Sequence, residues 1–313
     1  MTSSEFFHRR VRLIGFALLL ILEIAASSYA TNCREPEILA GTDPSQAPSS
    51  LTELQVVSLN LAREESLDRI LHDLKQAGSV AGADVWLLQE AAERPDSVRT
   101  IADLARELKL NYVFAPVDFL DGGKLASGLA ILSRYPILEP RVIPLTWHNM
   151  RFHTRCRIAL SAQIAGPSGP VHLYNVHLDT RITLTERMNQ IMPVLEQASS
   201  VMEPIVVGGD FNSADVRWVG NLLPLPYVQN HSDALQRAFQ ERGFASPLAR
   251  SRPTIDALKL PLHLDWIFPR GLNWVSSGVT TIRFSDHNAV WVRFDMMSSS
   301  SMGFRSDDCR PTA

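Results

Sequence analysis

Short apolar runs alternate with helical periods through the middle of the chain. Leu67, Ile70, Leu71 and Leu74 fall at i, i+3, i+4 and i+7, which predicts one buried face of a helix. Further helices are predicted over 98–108, from Thr183 onward, and over 232–242 before Gly243. Apolar runs of strand length lie at 54–59, 84–88, 112–115, 128–132, 158–164, 171–176, 205–207, 264–268 and 289–294.

The order of these elements predicts the fold class. Strands and helices alternate early in the chain, whereas several strands follow one another in the middle. This mixture predicts an α/β (α+β) fold of two mixed β-sheets that pack face to face, with helices outside. Thr183 and Glu186 form a capping box at the start of the third helix. Pro193 is expected to kink or shorten that helix, because proline has no N–H to donate.

The first thirty residues read as a targeting segment. His8 to Arg12 is basic, Leu13 to Leu22 is apolar, and Ser28-Tyr29-Ala30 forms a small-x-small site. This layout predicts a signal peptide over residues 1–30, cleaved after Ala30, and hence a periplasmic or secreted protein. The apolar run is shorter than the roughly 20 residues of a membrane span, and an uncleaved anchor is the alternative.

Two further segments have the composition of connecting chain. Residues 31–50 are rich in Pro, Ser, Thr and Gly and are predicted to be a linker, and residues 296–313 a flexible tail. One domain remains, at 51–295. With 45% hydrophobic and 20% charged residues the composition is that of an ordinary globular protein. The net charge of −3 gives no sign of the basic surface typical of sequence-independent nucleic-acid binding.

The three cysteines form no C-x-x-C pair, so a structural zinc site is not expected. An exported protein can keep a disulfide. Cys33 and Cys309 lie at the two ends of the domain, whereas Cys156 falls in an alternating apolar segment. We expect a Cys33–Cys309 bridge and a buried Cys156 thiol, with three unpaired thiols as the alternative.

Polar side chains follow the predicted strands, where a scaffold presents a site to solvent. Residues i and i+2 of an extended chain point the same way, so Asp210 and Asn212 can face one cavity. Burying so many polar groups unpaired would cost free energy, and a shared cavity that holds a cation is the simplest explanation. In chain order the candidates are Asn60, Glu90, His177, Asp179, Asp210, Asn212, Asp265, Asp286 and His287.

The ligand types indicate which cation this would be. Carboxylate and amide oxygens form a hard set that suits Mg²⁺, Mn²⁺ or Ca²⁺ better than zinc. Mg²⁺ that keeps several waters is the usual partner of a phosphate substrate. The oxygen donors are Asn60, Glu90, Asp210, Asn212 and Asp286.

An ordered set of motifs spans almost all of residues 51–294. The motifs are Asn60, Leu88-Gln89-Glu90, Ser127-Gly128-x-Ala130-Ile131-Leu132-Ser133-Arg134, Asn175-x-His177-Leu178-Asp179, Gly209-Asp210-Phe211-Asn212, Asp265-x-Ile267-Phe268 and Ser285-Asp286-His287. In this order the set resembles the endonuclease/exonuclease/phosphatase superfamily, which includes deoxyribonucleases and neutral sphingomyelinases. The resemblance implies a four-layer sandwich and metal-dependent hydrolysis of a P–O bond by water, without a covalent enzyme intermediate.

The resemblance also implies roles for single residues. Glu90, Asn60 and Asp286 would hold Mg²⁺. His287 would be the general base that takes a proton from water, and Asp265 would orient it.

The remaining roles concern the phosphate and its surroundings. By the same resemblance, Asp210 and Asn212 would position the nucleophile and a phosphoryl oxygen, and His177 would bind phosphate or help the leaving group. Arg134 and Asp179 are candidate substrate contacts, although Asp179 could instead brace the strand of His177.

The sequence leaves the substrate of the protein open and gives little information about its binding partners. Nucleic acid, a phospholipid or a small phosphate ester are all open, and we expect a monomer without an obligate protein partner. Arg151, Arg155 and Arg157 could form a phosphate-facing row or a solvated face. The uncharged segment from Leu222 to Val228 could be a lipid-contacting loop or simple packing. A catalytically silent binding module on the same fold is the alternative function.

Overall fold

The computed structural model describes residues 33, 35–43, 52–94, 100–150, 155–226, 230–248, 252–255 and 262–297. The predicted signal peptide and most of the predicted tail lie outside these residues. The strands are β1 (Leu39–Gly41), β2 (Glu53–Asn60), β3 (Val85–Glu93), β4 (Asn111–Leu120), β5 (Leu125–Ser133), β6 (Ile137–Pro144), β7 (Ile158–Gly166), β8 (Gly169–His177), β9 (Ile205–Asp210), β10 (Val216–Val219), β11 (Leu223–Pro226), β12 (Asp265–Arg270), β13 (Asn273–Thr280) and β14 (Ala289–Asp295). The α-helices are α1 (Leu67–Gln76), α2 (Thr100–Leu108), α3 (Leu184–Ser199) and α4 (His231–Gln240).

Two mixed sheets organise these elements, as the sequence predicts. The seven-stranded sheet has the order β1-β4-β5-β3-β2-β14-β13, and the five-stranded sheet has the order β12-β9-β8-β7-β6. Strands β2 and β3 run parallel, as do β8 and β9, whereas the other neighbouring pairs are antiparallel. Strands β10 and β11 form a separate hairpin.

The central strands are apolar on both faces because both faces are covered. Val56 and Leu87 belong to the core between the two sheets. Their neighbours Val57 and Trp86 point the other way and pack with the buried face of α1, including Leu74. Continuous apolar runs, rather than alternating ones, are the signature of strands buried on both sides. The layers therefore follow the order helix, sheet, sheet, helix.

Helix α3 begins at the predicted capping box but does not end early. Both hydrogen bonds between Thr183 and Glu186 are present. The helix continues through Pro193 to Ser199, so of the two expected effects of Pro193 the shortening is wrong, and the kink stays a prediction. Pro193 cannot donate to the carbonyl of Asn189 four residues earlier. The hydroxyl of Thr146 donates to that carbonyl instead, at 3.2 Å, and so compensates for the missing bond.

Two predictions about the N-terminal region are wrong. Leu39–Gly41, inside the predicted linker, forms β1 and pairs with Tyr112–Phe114 of β4. Cys33 is bonded to Cys156, and not to Cys309, which lies outside the described residues. The pairing of β1 with the edge of the larger sheet holds the N-terminal segment against the domain. No helix in the described ranges is both long and apolar enough to cross a bilayer.

Buried amides join the two sheets next to the strand ends that carry the candidate site. The Gln89 side chain donates to the Asn175 side-chain oxygen at 2.7 Å, and both residues are fully buried. Asn175 in turn donates to the carbonyls of Leu88 and Ala130, at 2.8 and 2.9 Å. Because buried amides are costly unless paired, these bonds fix how the sheets face one another.

Candidate active site

Three adjacent strands of the five-stranded sheet carry polar side chains side by side at one edge of the sheet. His177 of β8 is the register partner of Asp210 of β9. Asp210 is also the partner of Asp265, the first residue of β12. Gly209, which precedes Asp210, has φ +146°, and a Cβ there would meet the carbonyl oxygen of Val176 at 2.0 Å. Glycine is therefore required for β8 and β9 to approach this closely.

The larger sheet presents two more candidates to the same cavity. Asn60 ends β2, and its register partner on β3 is Gln89, next to Glu90. The pairing of β3 with β5 shifts between Leu88 and Ala91, and Glu90 has φ +46°. A bulge of this kind re-aims a side chain. Asn60 Nδ2 donates to Asp210 Oδ2 at 3.2 Å, which connects the two sheets inside the site.

His287 lies before β14 and is held between two carboxylates. Its Nδ1 is 2.9 Å from Asp265 Oδ2, and its Nε2 is 3.8 Å from Asp210 Oδ2. The hydroxyl of Ser285 accepts from the His287 backbone N–H at 3.0 Å and donates to the carbonyl of Asn60 at 2.7 Å. Since an ionised carboxylate only accepts, Nδ1 carries a hydrogen, and Nε2 faces Asp210.

Burial and neighbouring charge shift the acid–base behaviour of this group. Burial, together with the nearby Asp265, raises the pKa of Asp210 to about 7. Burial by itself lowers the pKa of His287, but the negative charges of Asp265 and Asp210 outweigh it and raise that pKa to about 10. The raised pKa of His287, and the part of the Asp210 shift that comes from Asp265, express negative charge that a bound cation would relieve.

His177 differs from His287 in its surroundings. Its Nε2 is 3.5 Å from Asp210 Oδ2 and 4.0 Å from Glu90 Oε1. Burial, followed by the positive charge of Arg157, lowers its pKa well below the ordinary histidine value. A cleft opens beside His177 and Glu90 and is also lined by Arg63 and Arg157.

The donor set fits a hard divalent cation. Asp210, Asp265 and His287 offer ligand atoms that all lie within 4.8 Å of one another. The hydrogen bond between Asp265 and His287 explains the closeness of these two residues. Glu90 and Asn60 offer further oxygen atoms beside this group. Oxygen donors of this kind suit Mg²⁺.

Asp286 and Asn212 differ from each other in exposure to solvent and in their contacts. Asp286 is exposed, and its carboxylate helps to raise the pKa of the adjacent His287. Its role as a metal ligand stays a prediction. The Asn212 side chain is buried and donates to the Leu178 carbonyl at 2.9 Å and to Asp210 Oδ2 at 3.2 Å. Asn212 therefore fixes the carboxylate of Asp210.

The prediction that Asp179 contacts substrate is wrong. Asp179 is fully buried. Its Oδ1 accepts from Arg157 Nε at 2.8 Å, and its Oδ2 accepts from Gln190 Nε2 at 2.8 Å. Both carboxylate oxygens thus face protein groups, and Asp179 braces the end of β8.

The prediction that Arg134 contacts substrate is also wrong. Arg134 donates to Asp84 Oδ1 at 2.8 Å and to the carbonyl of Gly82 at 3.3 Å. Its neighbour Ser133 pairs with Val85, the first residue of β3. About five residues of strand, or roughly 17 Å, separate Val85 from Glu90.

The contacts of Arg187 and Arg157, next to the site, could not be predicted from sequence alone. Arg187 of α3 is 1% exposed and donates to the carbonyls of Asp179 and Phe211, both at 2.7 Å. It therefore ties the chain after β8 to the chain after β9. Arg157 pairs with Asp179, and Arg155 pairs with Asp118 at 2.8 Å, so both are bonded within the protein. The sequence signal for Arg187 was its place among the apolar positions of α3, where an arginine is unusual.

The family profile described as "Endonuclease/Exonuclease/phosphatase family" matches residues 57–287, which include the candidates from Asn60 to His287. The chain belongs to this family. Its members are hydrolases that act on phosphate ester bonds, and the chain is an enzyme of that class. The two mixed sheets agree with the family fold.

Known proteins are similar to this chain in sequence or in fold. The chain is similar to a UPF0294 protein of Yersinia enterocolitica, with 26% identity over 80% of this chain and 87% of that protein. A UPF0294 protein of Erwinia tasmaniensis is 29% identical over 36% of this chain, and the match spans only 37% of that relative. The fold resembles an endonuclease/exonuclease/phosphatase structure from Beutenbergia cavernae, with a TM-score of 0.62, 20% identity, and coverage of 78% of this chain and 72% of that one.

Proposed function

We propose that this chain is an exported, Mg²⁺-dependent phosphoesterase, acting on a phosphodiester or phosphomonoester, in which His287 activates the attacking water. One observation carries the proposal: Asp265 orients His287, and the Nε2 of His287 lies 3.8 Å from Asp210 Oδ2, the same oxygen that accepts from Asn60 and lies 3.5 Å from His177 Nε2.

The position of His287 suits a general base. With Nδ1–H donated to Asp265, the lone pair of Nε2 is available to take a proton from water. Mg²⁺ held by Glu90, Asn60 and Asp286, with Mn²⁺ or Ca²⁺ as alternatives, would neutralise phosphoryl oxygens and lower the pKa of His287 toward the range of a base.

Asp210 is placed to orient the same water. Its Oδ1 accepts from the backbone N–H of Asn212 at 2.9 Å, and its Oδ2 accepts from Asn60 at 3.2 Å. The carboxylate therefore has one orientation, 3.8 Å from His287 Nε2. Preorganised polar groups of this kind are the main source of stabilisation in phosphoryl transfer.

Export is part of the proposal. The basic start, the apolar run and the small-x-small site of residues 1–30 support a cleaved signal, with a membrane anchor as the alternative. The Cys33–Cys156 bridge supports an oxidising compartment. Immunoblotting of cell fractions tests this: we expect a shortened chain outside the cytosol, and full-length protein in the cytosol would reject export.

The substrate class is best decided by assay. The arginines nearest the site are paired with carboxylates, Arg63 with Glu90 at 3.3 Å and Arg155 with Asp118. Such pairing leaves little free positive charge for a long polyanion. The β10–β11 hairpin, which follows the Asp210 loop, exposes Leu223. A panel of plasmid DNA, RNA, sphingomyelin, inositol phosphates and a chromogenic bis-ester, each with and without EDTA, separates the classes.

The decisive variant is His287→Ala, with His72→Ala as the matched control because His72 is exposed on α1. We expect His287→Ala to lower turnover by several orders of magnitude while thermal unfolding stays normal, and His72→Ala to leave turnover unchanged. Near-normal turnover by His287→Ala would reject the role of the base. Mg²⁺ binding without turnover of any ester would favour the silent binding module.

A further inference from the structure

Arg157 contacts the ring of His177 at the nitrogen that does not face Asp210. Its Nη1 lies 3.2 Å from His177 Nδ1. The Arg157 side chain is only 10% exposed, and its Nε donates to Asp179 Oδ1 at 2.8 Å. The guanidinium of Arg157 therefore contacts both the His177 ring and the carboxylate of Asp179.

The direction of this hydrogen bond fixes the ring hydrogens of His177. A guanidinium has donors and no acceptor, so His177 Nδ1 must accept and the ring hydrogen resides on Nε2. His287 has the opposite arrangement, because Asp265 accepts from its Nδ1. The two histidines approach the same oxygen, Asp210 Oδ2, at 3.5 and 3.8 Å. With His287 in its neutral form, as a bound cation would favour, His177 presents an N–H donor at Nε2 and His287 presents a lone pair at Nε2.

The support behind Arg157 is rigid. Asp179 Oδ2 accepts from Gln190 Nε2 at 2.8 Å, and the Asp179 N–H donates to Gln190 Oε1 at 2.9 Å. Arg187 donates to the Asp179 carbonyl at 2.7 Å. Asp179 is thus anchored to α3 by side-chain and backbone bonds. A guanidinium fixed in this way sets both the hydrogen-bond direction and the tilt of the ring.

We propose that Arg157 is a positioning residue that keeps His177 as an Nε2–H donor to a non-bridging oxygen of the phosphate ester, and that His177 does not protonate the leaving group. This deepens the proposed function and rests on it. In the reaction, water adds to phosphorus and gives its proton to His287. The P–O bond to the leaving group breaks, and the departing oxygen keeps the electron pair and takes its proton from solvent.

The test is the dependence of each variant on the leaving group. Methyl aryl phosphates, from an acidic dinitrophenol to unsubstituted phenol, are hydrolysed by wild type, His177→Ala and His177→Gln. The Gln amide can present an N–H near the place of Nε2. We expect His177→Ala to lose about 10²- to 10³-fold in kcat by the same factor for every ester, as for the loss of one transition-state donor. His177→Gln should recover most of this.

The opposite pattern would overturn the inference. If His177 protonates the leaving group, His177→Ala loses most with phenol and little with dinitrophenol, and His177→Gln recovers nothing. Folding is checked by thermal unfolding.

Arg157 is tested through its dependence on His177. Arg157→Lys keeps the positive charge beside Asp179 but loses the planar guanidinium, whose two nitrogens contact Asp179 and His177. We expect it to lower kcat in wild type and to have little further effect in the His177→Gln background, because an amide needs no fixed ring hydrogen. Equal losses in both backgrounds would indicate a merely structural role and reject the proposal. Arg106→Met, on the exposed side of α2, is the matched control.

A second measurement does not depend on turnover. Nitrogen NMR shifts of the His177 ring, assigned by comparison with His177→Gln, should show a neutral ring with hydrogen on Nε2. In Arg157→Lys the ring should become a mixture of tautomers. Hydrogen on Nδ1 in wild type would overturn the inference even if the enzyme is active. The expected NMR result in a protein that cleaves no ester would support the inference while rejecting the proposed function.

Discussion

Replacing Asp265 with asparagine should separate catalysis from folding. Asp265 is fully buried, and its carboxylate accepts from His287 Nδ1 at 2.9 Å. An amide of the same size offers Nδ1 either a neutral oxygen or an N–H. With the oxygen, the negative charge that supports a protonated His287 is lost. With the N–H, the ring hydrogen moves to Nε2, which can then no longer accept from water.

The expected loss follows from these two outcomes. The same change in a serine-protease triad lowers kcat by about 10⁴-fold, because the wrong tautomer is favoured. We expect a loss of about 10³- to 10⁴-fold here, equivalent to roughly 4–5.5 kcal/mol of barrier at about 1.4 kcal/mol per tenfold change. Since one hydrogen bond is exchanged for another of lower strength, the free energy of unfolding should fall by only about 1 kcal/mol.

The assay measures kcat, KM and urea unfolding for wild type, Asp265→Asn and Asp68→Asn. Asp68 is exposed on α1 and serves as the matched control. KM should change little in Asp265→Asn, because Asp265 orients the base and does not touch substrate. A loss in kcat below tenfold, in a protein that still folds, would refute the orienting role.

Other predictions concern stability. Replacing Cys33 and Cys156 by alanine should lower the unfolding free energy by up to about 5 kcal/mol, because the bridge spans 123 residues of sequence; thiol titration of the denatured wild type should find one free thiol, and three would contradict the bridge. Burial, with the charge of Arg187, lowers the pKa of His231 to about 4. Between these two pKa values the unfolded chain therefore binds a proton that the folded chain does not, and the free energy of unfolding should fall by at most about 3 kcal/mol as pH drops from about 6.5 to about 4. If the free energy of unfolding of His231→Gln, measured with urea, falls by the same amount over this pH range, the prediction is contradicted. Arg134→Met should cost about 1–3 kcal/mol in urea unfolding and leave kcat unchanged, and a loss of kcat would restore a phosphate-binding role.

The elements that could be predicted from sequence are those buried on both faces. Strands β2, β3 and β5 are nearly continuous apolar runs, so their position follows from composition alone. Strands β6 and β13 were not predicted, because exposed and buried positions alternate irregularly along them. Strand β1 has only three residues, two of them exposed, and its pairing with β4 carries no pattern that a sequence can show.

The candidate site was predictable where polar residues end apolar strands, as with Asn60, His177 and Asp210. Arg134 was misassigned because the direction of β5 relative to β3 decides which end of the sheet it reaches, and a single strand does not reveal its pairing. Arg157 could not be assigned because its function depends on which nitrogen of His177 it meets. Such relations exist only after folding.

The alignment of His177, Asp210 and Asp265 is set by the backbone ladder of three neighbouring strands. Reactive atoms placed in this way are insulated from changes in surface loops. The β10–β11 hairpin can therefore diversify in length and polarity while these three side chains keep their spacing.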